Sequence, residues 1–324
     1  MNKQDLDIAL VFDMGGTKLE SAVISSNGDL ISKIERSLVP FSKNGVDVEK
    51  LFNTLFEKYK KTMTQFGSIK GVGLSACGLV NTKTGVIEVA PNLNLNNFPF
   101  KKLFQEKYKI DIFISTDTRL AALGEATWGA GAGYENFAWV TLGTGFGGYF
   151  FLNGNLYGGE RGYAGGFGHN TMDEINGYPC GCGRFGCLET FASGRALERN
   201  AKAAIDMGHK TIIEDIAGGE KIRAEMVFQA EKLGDPLAAK LITQLIRYTS
   251  IGIGQIINFL DINLIIIGGG LTKSGDVFIN RIREEVKNHI FYQDAWKEIK
   301  IIPESLPNSA LYGAAVEIFN KTQY

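Results

Sequence analysis

An α/β fold in two lobes, each with its own copy of a β-sheet core, is the architecture this sequence predicts. Three observations predict it. A strand, a glycine turn and a second strand occupy residues 8–24, and the same arrangement recurs at 137–152, about 130 residues later. A third glycine cluster ends another apolar run, at 262–270. Between these lie stretches of helical periodicity, so strands and helices alternate. With 324 residues the chain can bury a large core and divide into two lobes.

The elements follow in order. Ile8–Phe12 is an apolar run of strand length, and Leu19–Ile24 is its partner. Between them, Asp13, Met14, Gly15, Gly16, Thr17 and Lys18 form the turn. It is not a P-loop, because Gly-x4-Gly-Lys-Ser/Thr is absent and no helix opens after it. Its glycines let backbone N–H groups approach a phosphate, and Asp13 at the strand end can hold Mg²⁺ through water. An ordinary hairpin is the plain alternative. Val48, Leu51, Phe52, Leu55, Phe56 and Tyr59 put an amphipathic helix in 46–66, with Lys58, Lys60 and Lys61 at its solvated end. Ile69–Ala76 is a strand leading to Cys77 and Gly78. Ile110–Ser115 is a strand that delivers Thr116 and Asp117 into a helix, Thr118–Trp128. Asp117 stands where an N-cap would, and capping is its plain alternative.

The second hairpin joins Phe137–Leu142 to Tyr149–Leu152 through Gly143, Thr144, Gly145, Phe146, Gly147 and Gly148. Helices are expected at Gly194–Ala204, Ala224–Lys232 and Asp235–Phe259, the last with Pro236 in its first turn. The strand Ile262–Ile267 ends in Gly268, Gly269 and Gly270. A helix at Asp276–His289, a short strand at Ile301–Ile302 and a closing helix at Leu311–Phe319 complete the chain. His209 and His289 read as surface residues.

Net charge is −1 with both signs mixed along the chain, which supports neither a nucleic-acid nor a membrane surface. No leader is evident, and the longest apolar runs are too short to span a bilayer. A cytoplasmic protein is the expectation. Three of four cysteines cluster behind one histidine, as His169-x10-Cys180-x-Cys182-x4-Cys187. One imidazole and three thiolates complete a tetrahedral Zn²⁺ shell with no open position, which argues for a structural metal. Buried free thiols or a disulfide are the alternatives. Cys77 reads as a buried free thiol.

The same stretch resembles the signature of the ROK family (repressors, open reading frames, kinases). Cys180 through Glu189 match the family's Cys-x-Cys-Gly-x-x-Gly-Cys-x-Glu at every fixed position. Ala164-Gly165-Gly166-Phe167-Gly168-His169 resembles its Ala-Gly-Glu-x-Gly-His, with Gly166 in place of glutamate. Thr116 through Glu125 resemble Asn-Asp-Ala-Asn-x-Ala-Ala-Leu-Gly-Glu, with Thr116 in place of the first asparagine. Pro91-Asn92-Leu93 matches its Pro-Asn-Leu, and Cys77-Gly78 stands where Pro-Gly is usual. The likeness runs from Ile8 to about Phe319.

That resemblance implies an actin-like (ribonuclease H-like) ATPase fold and an ATP-dependent sugar kinase. The first lobe would comprise 1–118 with about 305–324, and the second 119–304. The glycine hairpins would grip the phosphates of ATP and Gly268–Gly270 would face its adenosine. Asp117 would be the catalytic base, taking the proton of the attacking hydroxyl, by family habit the 6-hydroxyl. Gly78, Asn92, Thr116, Asp117, Gly166, His169 and Glu189 would lie at the sugar, with His169 serving zinc as well. Thr116 and Gly166 each lack a group that bonds a sugar hydroxyl in the family. One such charge-assisted bond is worth roughly 1.5–3 kcal/mol, or about 10- to 100-fold in affinity. Glycine at 166 suits a sugar with a larger or differently charged substituent. For Asn92, capping a turn is the structural alternative. A homodimer is common among similar proteins. The alternative function is a non-catalytic sugar sensor; the family's repressors carry a DNA-binding segment ahead of the first hairpin, where only seven residues precede Ile8. Another actin-like ATPase, such as a chaperone, fits the zinc loop less well.

Overall fold

The computed structural model describes residues 7–321. The chain forms two units, Met1–Gly133 with Ser305–Tyr324, and Tyr134–Glu304. The sheet of the first unit contains β1 (Ile8–Met14), β2 (Lys18–Ser25), β3 (Glu35–Leu38), β4 (Gly71–Ala76) and β5 (Ile112–Thr116), in the spatial order β5-β4-β1-β2-β3. The sheet of the second contains β6 (Phe137–Leu142), β7 (Phe146–Leu152), β8 (Asn155–Tyr157), β9 (Leu264–Gly268) and β10 (Lys300–Pro303), in the order β8-β7-β6-β9-β10. In both, three antiparallel strands are followed by two parallel ones. The two sheets therefore share one strand order and one set of directions, which is the duplicated core expected from the hairpins.

β1 is buried along almost its whole length, because it lies inside its sheet with neighbours on both edges. That is why it reads as an unbroken apolar run rather than an alternating one. Helix α1 (Val48–Phe66) starts at Asp47, whose carboxylate accepts the Lys50 N–H at 3.1 Å, a side-chain cap. It meets α2 (Phe100–Tyr108) through Phe52, whose ring lies 4.9 Å from Phe100 and 5.2 Å from Phe104. Both contacts are edge-on, the favoured aromatic geometry.

Helices α3 (Asp117–Trp128) and α9 (Ser309–Lys321) approach each other at two glycines. A β-carbon on Gly124 would collide with the Ser309 carbonyl, and one on Gly313 with that of Leu120. Trp128 and Tyr312 meet edge-on at 6.1 Å, and Arg119 pairs with Glu317 at 2.5 Å. Backbone sits against backbone here, so neither helix can yield locally. Gly313→Ala is expected to destabilise the protein by about 1–3 kcal/mol in denaturant unfolding; wild-type stability would mean the helices can part without cost. This packing keeps α3 with α9 in the first unit. The chain divides after Gly133, whereas a boundary at 118/119 would have given α3 to the second lobe.

In the second unit β9 is wholly buried beneath helices. The longest is α7 (Pro236–Leu260), which starts with proline at N1 and is capped by Asp235 on the Ala238 N–H at 2.8 Å. The others are α4 (Gly194–Asp206), α5 (Ile213–Ala217), α6 (Ala224–Lys232) and α8 (Asp276–Val286). The short α5 had no sequence expectation, since five residues carry too little periodicity. His289 departs from the surface reading: it is half-buried, and its Nε2 lies 3.1 Å from Glu285. Among the described residues no helix is long and apolar enough to cross a membrane.

Candidate active site and metal cluster

The first unit gathers its candidate residues at the carboxyl ends of β1, β4 and β5, where α/β sheets present ligand sites. Asp13 is next to last in β1, and the register sets it opposite Glu20 on β2 and Ser75 on β4. The Ser75 hydroxyl donates to Asp13 Oδ1 at 2.7 Å, and the Asn308 amide donates to Oδ2 at 2.9 Å. Burial raises the Asp13 pKa, and the two hydrogen bonds offset only part of that rise. The turn beyond it closes with Gly15 N–H on the Lys18 carbonyl at 2.9 Å, leaving Thr17 and Lys18 exposed. A β-carbon on Gly16 would lie 3.1 Å from that of Asn92, so the glycine turn and the 3₁₀ turn Pro91–Leu93 are neighbours. Gly78 has φ +118° and backs onto the Val89 carbonyl, which accounts for glycine there on structural grounds alone.

Thr116 takes the N-cap position of α3 and makes no side-chain cap bond; Asp117 is the first helical residue. Its Oδ1 accepts the Thr118 N–H at 2.7 Å, so the carboxylate sits at the positive end of the helix dipole. Asp117 keeps some accessible surface, yet its carboxyl group is enclosed by protein atoms. Burial, followed by the charge of Asp13, pushes its pKa up to about 7. Cys77 is half-buried rather than buried, and burial plus the charges of Asp117 and Asp13 raise its thiol to about 12. Asp13, Cys77 and Asp117 thus share one electrostatic neighbourhood. The sequence reading did not include Glu20, Ser75 and Asn308. The only signal for Asn308 was an Asn at a helix start, which says nothing about Asp13, 295 positions away.

In the second unit, the turn Gly143–Gly145 and the third glycine cluster lie together. A β-carbon on Gly143 would lie 3.6 Å from the Gly270 nitrogen, and one on Gly269, where φ is +94°, would lie 2.6 Å from the Leu142 carbonyl. Gly194 N–H donates to the Gly143 carbonyl at 2.8 Å, docking the start of α4 on this turn. Gly269 N–H donates to Glu304 at 3.1 Å.

His169, Cys180, Cys182 and Cys187 converge, their ligand atoms all within 4.8 Å of one another. His169 Nδ1 is 3.5 Å from Cys180 Sγ, and Cys182 Sγ is 3.6 Å from Cys187 Sγ. A tetrahedron with metal–nitrogen bonds near 2.0 Å and metal–sulfur bonds near 2.3 Å has edges of about 3.5–3.8 Å. The donor set and its spacing are therefore compatible with a zinc site. The four thiols of the chain are free, and 3.6 Å is far from a sulfur–sulfur bond. Burial raises the Cys180 thiol to about 12 and that of Cys187 upward as well. Partial burial opposes ionisation of Cys182 too, but hydrogen bonds from the Arg184 backbone and side chain outweigh it and bring that thiol to about 7. Glycine is required at 183 and 186, where φ is +87° and +67°.

Glu189 ties this cluster to the turn. Its Oε2 accepts the Phe146 N–H at 3.2 Å, and the Cys180 thiol lies 3.6 Å from Oε1. A side chain on Gly145 would strike that carboxylate. Gly166 is exposed, and a β-carbon added there meets only open space.

A model of the ROK family matches residues 9–320. The glucokinase of Halalkalibacterium halodurans is 32% identical over 276 residues, 84% of this chain and 83% of that one. The crystal structure of a ROK-family glucokinase from Streptomyces griseus, in complex with glucose and AMPPNP, superposes with a TM-score of 0.80 at 27% identity, covering 96% of this chain and 98% of that one. A ROK-family transcriptional regulator, a homologue of the E. coli MLC protein, superposes with a TM-score of 0.83 at 25% identity over 97% of this chain and 78% of its own. Spanned almost end to end by that family model, the chain belongs to the ROK family.

Proposed function

We propose that this chain is an ATP-dependent sugar kinase that phosphorylates a hydroxyl of a hexose or hexose-like sugar, the 6-hydroxyl first among them. The observation that carries the reading is the enclosed Asp117 carboxylate beside Asp13, at the carboxyl ends of the parallel strands of the first unit. A carboxylate that titrates near pH 7 is matched to general-base work at that pH. Asp117 accepts the proton of the sugar hydroxyl and aims its oxygen at the γ-phosphoryl group. Asp13 would hold Mg²⁺ through water, where the charge of the cation would offset that of the phosphates. Backbone amides of Gly16 and Thr17, with Lys18 next to them, receive phosphate, while the Gly15 N–H closes the turn on the Lys18 carbonyl. Those of Thr144 and Gly145 do so too, in a turn that the Gly143 N–H closes on the Gly145 carbonyl, and Gly268–Gly270 face the adenosine.

Gly78, Asn92, Thr116, Gly166, His169 and Glu189 contact the sugar. His169, Cys180, Cys182 and Cys187 hold Zn²⁺, which fixes the loop bearing the sugar contacts and takes no part in the chemistry. The kinship with a glucokinase supports the activity. The protein works in the cytoplasm as a homodimer, a state that light scattering tests.

ADP formation by zinc-replete protein across a panel of hexoses, N-acetylhexosamines, aminosugars and cyclitols tests the reading. Strong turnover on one member is expected. Silence across the panel, with nucleotide bound, favours the second reading, a non-catalytic sugar sensor, which the likeness to the transcriptional regulator supports. The open space at Gly166 adds a prediction. Gly166→Glu is expected to lower KM for a plain hexose by about 10- to 100-fold, the worth of one charge-assisted hydrogen bond. An unchanged hexose KM would separate position 166 from sugar choice.

A further inference from the structure

Where the chain returns to the first unit, it brings to Asp13 a side chain that the scheme above leaves without a role. The returning segment is pinned by Glu125, a carboxylate on α3 with no accessible surface. Glu125 accepts the N–H groups of Ser305 at 3.1 Å and Leu306 at 3.0 Å, the Ser309 hydroxyl at 2.7 Å and the Ala130 N–H at 2.6 Å. Charge-assisted bonds of this number hold residues 305–309 against α3.

Asn308 lies inside the pinned segment. Its Oδ1 caps α9, accepting the N–H groups of Ala310 at 3.1 Å and Leu311 at 3.2 Å. That decides which way round the amide sits, because only its oxygen can accept. The Nδ2 group must face the other way, and it meets two carboxylates, Asp13 Oδ2 at 2.9 Å and Glu20 Oε2 at 2.8 Å. An asparagine amide has two donors and two acceptor sites, and this one uses all four. Asp13 and Glu20 face each other across the β1–β2 pair, so one neutral donor serves two neighbouring negative groups.

We infer that Asn308 is a positioning residue for Asp13. With the Ser75 hydroxyl on Oδ1, it grips the carboxylate by both oxygens and sets its plane. Each oxygen then has one lone pair engaged by protein and one left for the water shell of a cation. The same amide reaches Glu20 Oε2, while Arg36 holds the other oxygen, its Nε donating to Oε1 at 2.6 Å, so Glu20 is engaged at its own strand position. The inference rests on the proposed role of Asp13 toward Mg²⁺ and nucleotide.

Asn308→Ser separates the two ends of the amide: it keeps an oxygen able to cap α9 and replaces the two amide donors to Asp13 and Glu20 with one hydroxyl on a shorter side chain. The probe is Mn²⁺ with AMPPNP, with free Mn²⁺ followed by electron paramagnetic resonance. Asn308→Ser is expected to weaken Mn²⁺·AMPPNP binding about 10-fold. Sugar affinity by calorimetry should stay near wild type, and the melting temperature should fall less than in Asn308→Ala. Asn308→Ala, which also loses the cap, should show the same weakening together with a further drop in melting temperature. Asp13→Asn is the control. If Asp13→Asn weakens Mn²⁺·AMPPNP and Asn308→Ser does not, the positioning role is overturned and Asn308 is a cap alone. If Asp13→Asn leaves that affinity unchanged, the role of Asp13 itself fails, and the inference fails with it.

Discussion

Asp117→Asn is expected to fold normally and to lose about 10²- to 10⁴-fold in kcat, the usual contribution of a positioned general base. The substitution is nearly isosteric, and an amide oxygen can still accept the Thr118 N–H that the carboxylate accepts now. What disappears is the capacity to take a proton. The pH profile carries the same signature. Burial and the charge of Asp13 raise the pKa of Asp117 to about 7, and the base acts as its carboxylate. Wild-type kcat/KM should therefore climb with pH up to about 7 and level off above it, and the residual activity of the variant should lack that limb. Near-normal turnover in Asp117→Asn, or a limb that persists in it, would sink the assignment.

Stability moves the other way. The folded-state pKa of Asp117 lies above the ordinary value of 3.8. Its contribution is complete below pH 3.8 and is lost as pH rises to about 7, because the folded chain holds a proton there that the unfolded chain has released. Above pH 7 the wild type carries an enclosed charge that the asparagine variant lacks. At pH 8 the variant should melt at the same temperature as wild type or higher, and its advantage should shrink as the pH is lowered toward 4. A site that gains stability when its activity is removed is a site shaped for chemistry.

Cys182→Ser is expected to lose zinc and sugar binding together. Of the four candidate ligands Cys182 is the exposed one, so the change should reach the metal with little effect on the core. Backbone bonds cross the surrounding loop, from Cys180 N–H to the Arg184 carbonyl at 2.8 Å, Gly186 N–H to that of Tyr178 at 2.9 Å and Met172 N–H to that of Gly186 at 2.7 Å, and the Arg184 guanidinium donates to the His169 carbonyl at 3.0 Å. Two isolated bridges, Thr171 with Cys187 and Pro179 with Phe185, brace it, while Ile175 and Phe185 stand exposed. Structural zinc contributes an apparent 10–16 kcal/mol or so in zinc-finger peptides, more than several hydrogen bonds of about 1 kcal/mol net each. Without the ion, His169 and Glu189 lose their fixed places, and sugar affinity should weaken by about 10- to 100-fold. Metal content by atomic emission and sugar binding by calorimetry check this. A zinc-free variant with unchanged sugar affinity would refute the coupling.

Much of the architecture was legible in the order of residues, because its signals are local. β1 and β6 announced themselves as apolar runs followed by glycine turns, and α7 by its long apolar stretch and a proline in its first turn. The four members of the metal cluster were legible because they lie within nineteen positions, close enough for turns to bring them together. Other features had no local signal. α5 is too short to show a period. The placement of α3 depends on Gly124 and Gly313 meeting across almost two hundred residues, and neither glycine signals the other. Cys77 reads as a core thiol until the fold sets it beside two carboxylates.

What the sequence determined by itself was the set of parts: two hairpins with glycine turns, a donor set for one metal, a carboxylate at the start of a helix, and the family to which these belong. Composition, periodicity and turn chemistry act over a few residues, so they can be read without knowing where the chain goes. What only the tertiary structure decided was how the parts bear on one another. Asp13 is gripped by Ser75 and Asn308, and Glu189 joins the metal cluster to a glycine turn. Asp117 acquires its unusual proton affinity from burial and from Asp13. Those are effects of register, enclosure and charge between residues distant along the chain, and folding is what brings them within reach of each other.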